Sequence, residues 1–511
     1  MTTSTNELAS FTDLVDLASE RLGGASIHCT DDFFAGMDNL VKAKEPVWDE
    51  LAYTDRGKWM DGWESKRAHR ENHLDADGSE HHDDCVVRLG APGLVRGVVV
   101  DTAFFRGNFP SHCEIDGAVV DGYPAASAVA ADARWLPLLP RSALAGNSKN
   151  AFAIVSDVRV THVRLRIFPD GGVARLRVYG EPLPDWRVHG GLDGELDLAS
   201  CELGGLVVAC SDMFFGSRHN LLFPGPSGGM HDGWETRRSR RAGFDWAVVR
   251  LAARGAPRRV VVDTSHFKGN CPESFALEGC DRYDGERTVW RELVARVPLQ
   301  PHTRHVFTPA SGAAACSHVR LRVYPDGGVA RFRLYGVLDE AERQAQRVRR
   351  LNAMAPDEAS AALHTCCGSR AFAAHVAGAR PFADHAALTR AVDAAFGALT
   401  ETDWLEAFAA HPRIGGSAPA GHASAASQAQ SANEQRGMDG ADATLATRMA
   451  DLNQQYAKKH GFIYIVKASG KSAAELLALL EERLGNDRAT ELGNAAAEQR
   501  KITALRLERI A

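Results

Sequence analysis

Two septets bring acidic, aromatic and basic residues together: DGWESKR, which begins at Asp61, and DGWETRR, which begins at Asp232. In such a group, arginine forks can pair with a carboxylate, and Asp or Glu oxygens can accept N–H groups from a ureido compound. The septets therefore indicate a site for a small polar anion or ureido compound. The alternative is structural: Trp63 and Trp234 would be core residues, and the arginine rows of the two HVRLR segments would cover a solvated strand face.

A second pair of polar blocks follows short strands rich in valine: DTAFFRGN from Asp101 and DTSHFKGN from Asp263. Counted from these aspartates, His266 falls opposite Phe104. An imidazole can transfer protons near neutral pH, whereas a phenyl ring cannot. The second copy therefore carries the fuller set of polar groups.

The run HHDD at residues 81–84 raises the question of a metal site. Adjacent side chains fit the coordination of one ion poorly, and the second copy has GFDW at residues 243–246. We therefore expect an exposed loop here and name no metal ligands.

The last third of the chain has chemical groups of its own. They lie in AHPRIGG around His411, SANEQRGM from Ser431, LNQQYAKKHGFIYIVKASGKS from Leu452 and KITALRLERI from Lys501. Alone, His411 would be a capping or packed histidine, and the EQ pair of the second block would be ordinary helix surface. The four blocks together favour a site.

The septets belong to an internal duplication. Four blocks recur in one order: IHCTDDFF with VVACSDMFF, the two septets, VVVDTAFFRGN with VVVDTSHFKGN, and HVRLRIFPDGGVARLRVYG with HVRLRVYPDGGVARFRLYG. Such order indicates repeated structural units with insertions in the loops between blocks. The last block alternates apolar and basic residues around PDGG, which predicts a hairpin of two half-buried strands. Because long helical patterns are absent between residues 24 and 336, each copy is predicted to be a β-sandwich of the jelly-roll type.

After residue 339 the composition changes to segments rich in Ala, Arg, Glu and Leu, and Ser472 with Glu475 forms a capping-box pattern. The predicted fold class is multi-domain, with two tandem all-β jelly-roll sandwiches followed by an all-α domain. The predicted bounds are repeat 1 at 20–183, repeat 2 at 200–338, a linker at 339–350 and the helical domain at 351–511.

Bulk properties narrow the class of protein. The chain has 511 residues, enough for three domains with their own cores, with 45% hydrophobic and 24% charged residues and a net charge of −6. This charge argues against a nucleic-acid partner. No window approaches the roughly 18 apolar residues of a membrane span, and the first residues lack a signal-peptide pattern. Ten cysteines without a CxxC pair are expected to be reduced, and the expected location is cytoplasmic.

Over about residues 20–337 the chain resembles allantoicase. TDRGKWMDGWESKR, MHDGWETRR and the two DT blocks match that family's signature blocks in its two-copy order. The resemblance implies galactose-binding-like jelly rolls and hydrolysis of allantoate to (S)-ureidoglycolate and urea. It implies Glu235 and His266 as catalytic residues. Because His266 and Lys268 have no equally capable pair in the first copy, we predict that the site lies mainly in the second copy. The implied substrate-binding residues are Asp61, Glu64, Arg67, Asp232, Arg237, Arg238 and Lys268.

From about residue 351 to 510 the chain resembles the decarboxylase of 2-oxo-4-hydroxy-4-carboxy-5-ureidoimidazoline (OHCU), an all-helical enzyme of urate degradation that forms (S)-allantoin. The resemblance implies His411 and Glu434 as an acid–base pair that needs neither metal nor cofactor. The chain departs from the family at Arg413 and Ile414, where an acidic residue and Leu commonly follow HP. The implied substrate contacts are Pro412, Ser431, Gln435, Ile465 and Arg506.

The expected function is therefore a pair of enzymes of purine and ureide catabolism on one chain, with small molecules as their substrates. The alternative is that the N-terminal half is a non-catalytic jelly-roll module that binds a ligand beside an active decarboxylase. The sequence leaves open whether the hydrolase uses a divalent metal and whether the chain forms homo-oligomers.

Overall fold

The computed structural model describes residues 10–68, 74, 78, 80–240, 242–412 and 443–510. The chain divides into two compact units, Met1–Arg343 and Gln344–Ala511. The first is built from β-strands and the second from α-helices. The predicted fold class, two all-β repeats followed by an all-α domain, is confirmed.

The first repeat is a sandwich organised around one long strand. Its strands are β1 Val15–Asp16, β2 Ala25–Cys29, β3 Tyr53–Thr54, β4 Gly57–Lys58, β5 Trp63–Glu64, β6 Asp83–Asp101, β7 His112–Ala118, β8 Leu136–Ala143, β9 Lys149–Ala153, β10 Arg159–Phe168, β11 Gly172–Val173 and β12 Arg175–Pro182, with helix α1 Ala126–Asp132 before β8. The first half of β6 pairs with β2 and β10, and its second half pairs with β12 and β9. Residues 90–93, GAPG, separate the halves, since glycine and proline permit a bend there.

The second repeat copies this arrangement. Its strands are β13 Leu196–Asp197, β14 Leu206–Cys210, β15 Trp234–Glu235, β16 Asp245–Asp263, β17 Ser274–Cys280, β18 Arg291–Pro298, β19 Arg304–Phe307, β20 Cys316–Tyr324, β21 Gly328–Val329 and β22 Arg331–Leu338. The strand orders β1-β12-β6-β10-β7-β8 and β13-β22-β16-β20-β17-β18 correspond strand by strand. The predicted internal duplication is confirmed.

The predicted hairpins are wrong. Strands β10 and β12 both pair antiparallel with β6, which lies between them, and β20 and β22 flank β16 in the same way. The alternating segments are strands, as predicted, but their hydrogen-bond partner is a strand from much earlier in the chain. The PDGG turns instead lead into β11 and β21, which pair with the septet strands β5 and β15.

The second unit is helical, and its first helix begins four residues before the boundary between the units. Its helices are α2 Glu340–Asn352, α3 Pro356–Cys367, α4 Arg370–Gly378, α5 His385–Ala398, α6 Glu401–Ala409, α7 Ala443–His460, α8 Ala473–Arg483 and α9 Arg488–Leu507. The predicted capping box of Ser472 and Glu475 is present at the start of α8. An aromatic cluster in the core includes Phe372, Phe396 and Trp404. No helix in the part of the chain that the structure describes is long and apolar enough to cross a membrane.

Two element bounds differ from the predicted domain limits. Strand β1, at Val15–Asp16, pairs with β12, so the first sandwich includes residues before position 20. Segment 339–350, predicted as a linker, lies almost entirely in α2. Its Ala, Arg, Glu and Gln residues are good helix formers, which explains why this charged segment is helical.

Candidate active sites

The septet tryptophans are core residues. Trp63 and Trp234 are fully buried. Their indole N–H groups donate to the backbone carbonyls of Asp31 (2.8 Å) and Asp212 (2.9 Å). The structural alternative is therefore right for these two residues, which hold the loop after β2 or β14 against the septet of the same repeat.

The septet aspartates lie in ion pairs, which are buried at Asp61 and partly buried at Asp232. Asp61 accepts a hydrogen bond of 2.8 Å from Arg175, whose side chain is 1% exposed. Burial is the largest single effect and raises the pKa of Asp61, but the hydrogen bonds from Arg175 and the Val47 N–H, with the charges of Arg175 and Lys42, together leave that pKa lowered. Asp232 accepts a bond of 2.8 Å from Arg331 and also pairs with Arg21 of the first repeat. Both aspartates were predicted to bind substrate. In the structure their ion pairs hold the sandwiches together, and neither aspartate lines the cavities described below.

A glycine in each PDGG turn lets the septet glutamate reach its position. Gly172 pairs with Glu64 across β11 and β5, and Gly328 pairs with Glu235 across β21 and β15. A Cβ at either glycine would overlap a buried phenylalanine ring, Phe105 in the first repeat or Phe267 in the second. Strands β11 and β21 can therefore lie flat on these rings only because glycine has no side chain.

The first repeat has a cavity of about 280 Å³ between its septet and its DT block. Glu64 lies in it, and its Oε1 accepts a hydrogen bond of 2.7 Å from the Asn108 amide. Burial, aided by the charge of Asp170, raises the pKa of Glu64 although the Asn108 bond acts in the opposite direction. The lining residues are Phe34, Trp48, Lys58, Met60, Glu64, Phe104, Arg106, Gly107 and Asn108.

The second repeat has a larger cavity of about 550 Å³. Glu235 accepts a hydrogen bond of 2.7 Å from Asn270, which reproduces the pair of the first repeat. The structure thus brings two predicted site residues, Glu235 and Arg238, to one cavity. The lining residues are Phe215, Glu235, Thr236, Arg238, Ser239, Gly269, Asn270, Cys271, Glu273, Pro325, Asp326 and Gly327.

The structure does not place His266 on this cavity. The backbone of His266 is left-handed, with φ of 72°, and its N–H donates to His302 Nδ1 at 2.8 Å. Its ring Nε2 lies 2.9 Å from the carbonyl oxygen of Ser227. Phe104 has the same unusual backbone, with φ of 68°, so the shared DT block determines this turn in both repeats.

The other predicted residues of the first unit lie on the surface. The Arg237 guanidinium lies over the ring of Phe214, 4.5 Å from its centre. Arg67 and Lys268 are exposed. The sequence patterns did not predict the two pairs of glutamate and asparagine. The signal that could have revealed them is that Asn108 and Asn270 occupy the same place in the two DT blocks.

The HHDD run is not the exposed loop that we expected. Asp83 is buried and begins β6, and it accepts a hydrogen bond of 2.8 Å from Thr30. His81 lies 3.9 Å from Asp83. Among the described residues, no three His, Cys, Asp or Glu side chains are grouped so that they could hold a metal ion.

In the helical unit, His411 lies just after α6, with its side chain almost fully buried. Its Nε2 is buried and has no hydrogen-bond partner among the described residues. Burial, together with the positive charge of Arg506, lowers the pKa of His411 to about 3, although a polar contact with Gln499 acts in the opposite direction. His411 is therefore a neutral imidazole near neutral pH.

One face of α9 carries the polar groups that belong with His411. Gln499, Thr503 and Arg506 are all buried, and their spacing along the sequence places them on the same face of the helix. The Gln499 amide donates to the Cys367 carbonyl (3.2 Å) and to Thr503 Oγ1 (3.3 Å). Of these residues only Arg506 was predicted from the sequence. The helical spacing from Arg506 back to Gln499 was the signal that could have found the others.

Of the remaining predicted contacts of this unit, two lie within the described residues and three do not. The Ile465 carbonyl, a predicted substrate contact, accepts a hydrogen bond of 2.8 Å from Arg483. Pro412 follows His411 and is partly buried. The other three predicted residues lie outside the described residues: Ser431, Glu434 and Gln435.

Comparison with known proteins assigns each of the two units to a protein family. Residues 15–183 and 196–339 match the allantoicase repeat family, and residues 352–508 match the OHCU decarboxylase family. A probable allantoicase of Nocardia farcinica is 48% identical over 328 residues, which cover 64% of this chain and 95% of that protein. The allantoicase of Dictyostelium discoideum is 40% identical over 331 residues, with 63% and 86% covered. The crystal structure of allantoicase from Saccharomyces cerevisiae, 33% identical, has a TM-score of 0.54 and covers 63% of this chain and 92% of that one.

The fold, the two glutamate cavities and the buried histidine therefore belong to a bifunctional enzyme of ureide catabolism, with a hydrolase unit and a carboxy-lyase unit. The chain belongs to the allantoicase family and carries an OHCU decarboxylase domain after its two repeats.

Proposed function

We propose that the first unit hydrolyses allantoate to (S)-ureidoglycolate and urea. The observation that carries this proposal is the recurring cavity in which a glutamate is bonded to an asparagine and an arginine also lines the wall. A carboxylate and an amide can receive the N–H groups of a ureido substrate, and an arginine can hold its carboxylate.

The test is the release of urea from allantoate by the full chain. Steady release that depends on enzyme concentration is expected. If allantoate binds in a calorimeter but no urea appears, the unit is a ligand-binding module instead, which is the alternative function of a jelly-roll pair.

The second unit is proposed to decarboxylate OHCU to (S)-allantoin. The carrying observation is the buried His411, neutral and with a free Nε2 among the described residues, beside the positive charge of Arg506. Loss of carbon dioxide leaves electron density that an adjacent C=N or carbonyl group delocalises, and Arg506 stabilises that charge. His411 and Glu434 then act as the pair that moves a proton to one face of the product carbon.

The proposed decarboxylation can be tested by the chirality of the allantoin that forms. The full chain should convert OHCU to (S)-allantoin faster than the spontaneous reaction, and polarimetry or circular dichroism should show one enantiomer. Racemic product at the spontaneous rate would contradict it. The proposal includes no cofactor for this unit, so dialysis against a chelator should leave decarboxylation unchanged.

The two reactions are not consecutive, since the allantoin ring must be opened before allantoate exists. The fusion is therefore proposed to give equal production of two enzymes without transfer of a product between them. A divalent metal in the hydrolase is tested by the same dialysis, and self-association is tested by light scattering. A cytoplasmic location is proposed because all ten cysteines are free thiols, as a reducing compartment would keep them.

A further inference from the structure

The two cavities of the first unit differ in the loop that borders them. Before the septet, the first repeat has residues 42–60 where the second has only residues 223–231. The longer loop contributes Trp48, Lys58 and Met60 to the lining of the first cavity, whereas no residue of the shorter loop lines the second. Only the first cavity therefore has the segment before its septet as one wall.

Buried and partly buried contacts hold this loop in place. Arg175, the buried partner of Asp61, donates to the Lys44 carbonyl at 2.9 Å. The backbone N–H of Val47 donates to Asp61 at 3.0 Å. The septet ion pair thus anchors the start of the loop to the sandwich.

The far end of the loop is held by Lys58. Its ammonium group donates to the carbonyls of Asp49 (2.6 Å), Glu50 (2.7 Å) and Ala52 (3.1 Å). It also lies over the ring of Trp48, 4.8 Å from its centre. The positive charge of Lys58 is therefore used to shape the loop, which presents an ordered wall to the cavity before any ligand binds.

Trp48 provides an aromatic surface at the cavity. Its ring stacks with Phe104 at 5.9 Å and an angle of 28°, and the side chain is still 46% exposed. Phe34 lines the same cavity. A planar ureido group can stack on the exposed face of such a ring. Phe104, which replaces the histidine of the second repeat, thus forms part of this aromatic wall.

The polar groups of the first cavity are suited to the chemistry. Glu64 is 9% exposed and Asn108 occupies its Oε1, while its Oε2 has no partner among the described residues. A carboxylate removed from water in this way is a stronger base than an exposed one. Arg106 lines the cavity, is exposed, and has no ion-pair partner in the described ranges. It is available to bind a substrate carboxylate.

We propose that the cavity of the first repeat is the hydrolytic site of the first unit, with Glu64 as its acid–base residue and Arg106 as its carboxylate-binding residue. This assignment rests on the proposed hydrolysis of allantoate and differs from the sequence-based expectation, which placed the site in the second repeat. In the reaction, the bond from the central carbon to one ureido nitrogen breaks and the oxygen of water bonds to that carbon. The proton that water loses reaches the departing nitrogen, which leaves as urea, and Glu64 carries that proton.

The duplication supplies matched variants for the test. Glu64→Gln and Glu235→Gln both keep the size of the side chain and an oxygen for the neighbouring asparagine, but neither glutamine can carry the proton. In the full chain, Glu64→Gln should lower kcat for urea release by at least about 100-fold, the usual contribution of general acid–base catalysis. Glu235→Gln should lower it less than about tenfold.

A second matched pair tests substrate binding and does not depend on a buried side chain. Arg106→Gln should raise KM for allantoate by at least about tenfold, as loss of a charged hydrogen bond predicts, with a smaller change in kcat. Lys268→Gln, at the same place in the second repeat, should change KM less. Both side chains are exposed, so neither change is expected to disturb folding.

The possible results are distinct. The assignment is overturned if Glu235→Gln loses as much kcat as Glu64→Gln or more, if neither variant loses it, or if Lys268→Gln raises KM as much as Arg106→Gln. If Glu64→Gln does not fold, the KM comparison decides alone. Absence of urea release by the unaltered chain would instead refute the proposed hydrolysis itself.

Discussion

Replacing Asp61 by Asn tests whether the septet aspartate is structural. The side chains of Asp61 and Arg175 are 6% and 1% exposed, and Lys42 lies 3.6 Å from the carboxylate. The substitution keeps the shape of the side chain and removes its charge. The guanidinium of Arg175 then stays buried with only carbonyl oxygens as partners, namely those of Lys44, Asp61 and Ala174.

Removal of one partner from a buried ion pair costs about 3 to 5 kcal/mol. Arg175 keeps its hydrogen bonds to backbone carbonyls in Asp61→Asn, so the cost should lie near the lower end of this range. We therefore expect a loss of about 3 kcal/mol in the free energy of unfolding. For a domain of this size that loss corresponds to a decrease of roughly 6 to 12 °C in Tm. Arg67→Gln, an exposed change in the same septet, should alter stability by less than about 0.5 kcal/mol.

Intrinsic fluorescence can follow this unfolding, because every tryptophan of the chain except Trp404 lies in the first unit. The pKa of Asp61 is lowered in the folded protein, so its stabilising effect is present above the ordinary carboxyl pKa of about 4 and is lost as the pH falls below it. The difference between the two proteins should therefore shrink in acid. An unchanged Tm at pH 7 together with weaker binding of allantoate would refute the structural role and restore the predicted substrate contact.

Three further outcomes are expected. His411→Asn should lower decarboxylation by about 10² to 10⁴-fold while urea release by the same chain stays normal, and loss of both activities would show a damaged fold instead. Gly328→Ala should destabilise the first unit by about 1 to 3 kcal/mol in thermal unfolding, because its Cβ overlaps the buried Phe267, whereas Gly269→Ala, with open space around its Cβ, should not. The two units expressed separately should each keep their own activity, and an inactive fragment beside an active full chain would refute their independence.

Local patterns in the sequence were sufficient for much of the fold. Four repeated blocks in one order predicted the duplication, and the change in composition after residue 339 separated strands from helices. The capping box of Ser472 and Glu475 predicted the start of a helix. Each of these signals depends on neighbours in the chain, because backbone propensity, capping and repeat order are all properties of short segments.

Only the tertiary structure decided which strands pair and which polar residues share a cavity. The segments on either side of PDGG looked like a hairpin, but β6 lies between them, since the register depends on contacts between segments far apart in the chain. Asp61 and Glu64 stand three residues apart in one septet, yet Asp61 faces the buried Arg175 and Glu64 faces Asn108. Residue type and spacing show which groups could do chemistry, whereas burial and partners, which determine charge and access, arise only when the chain has folded.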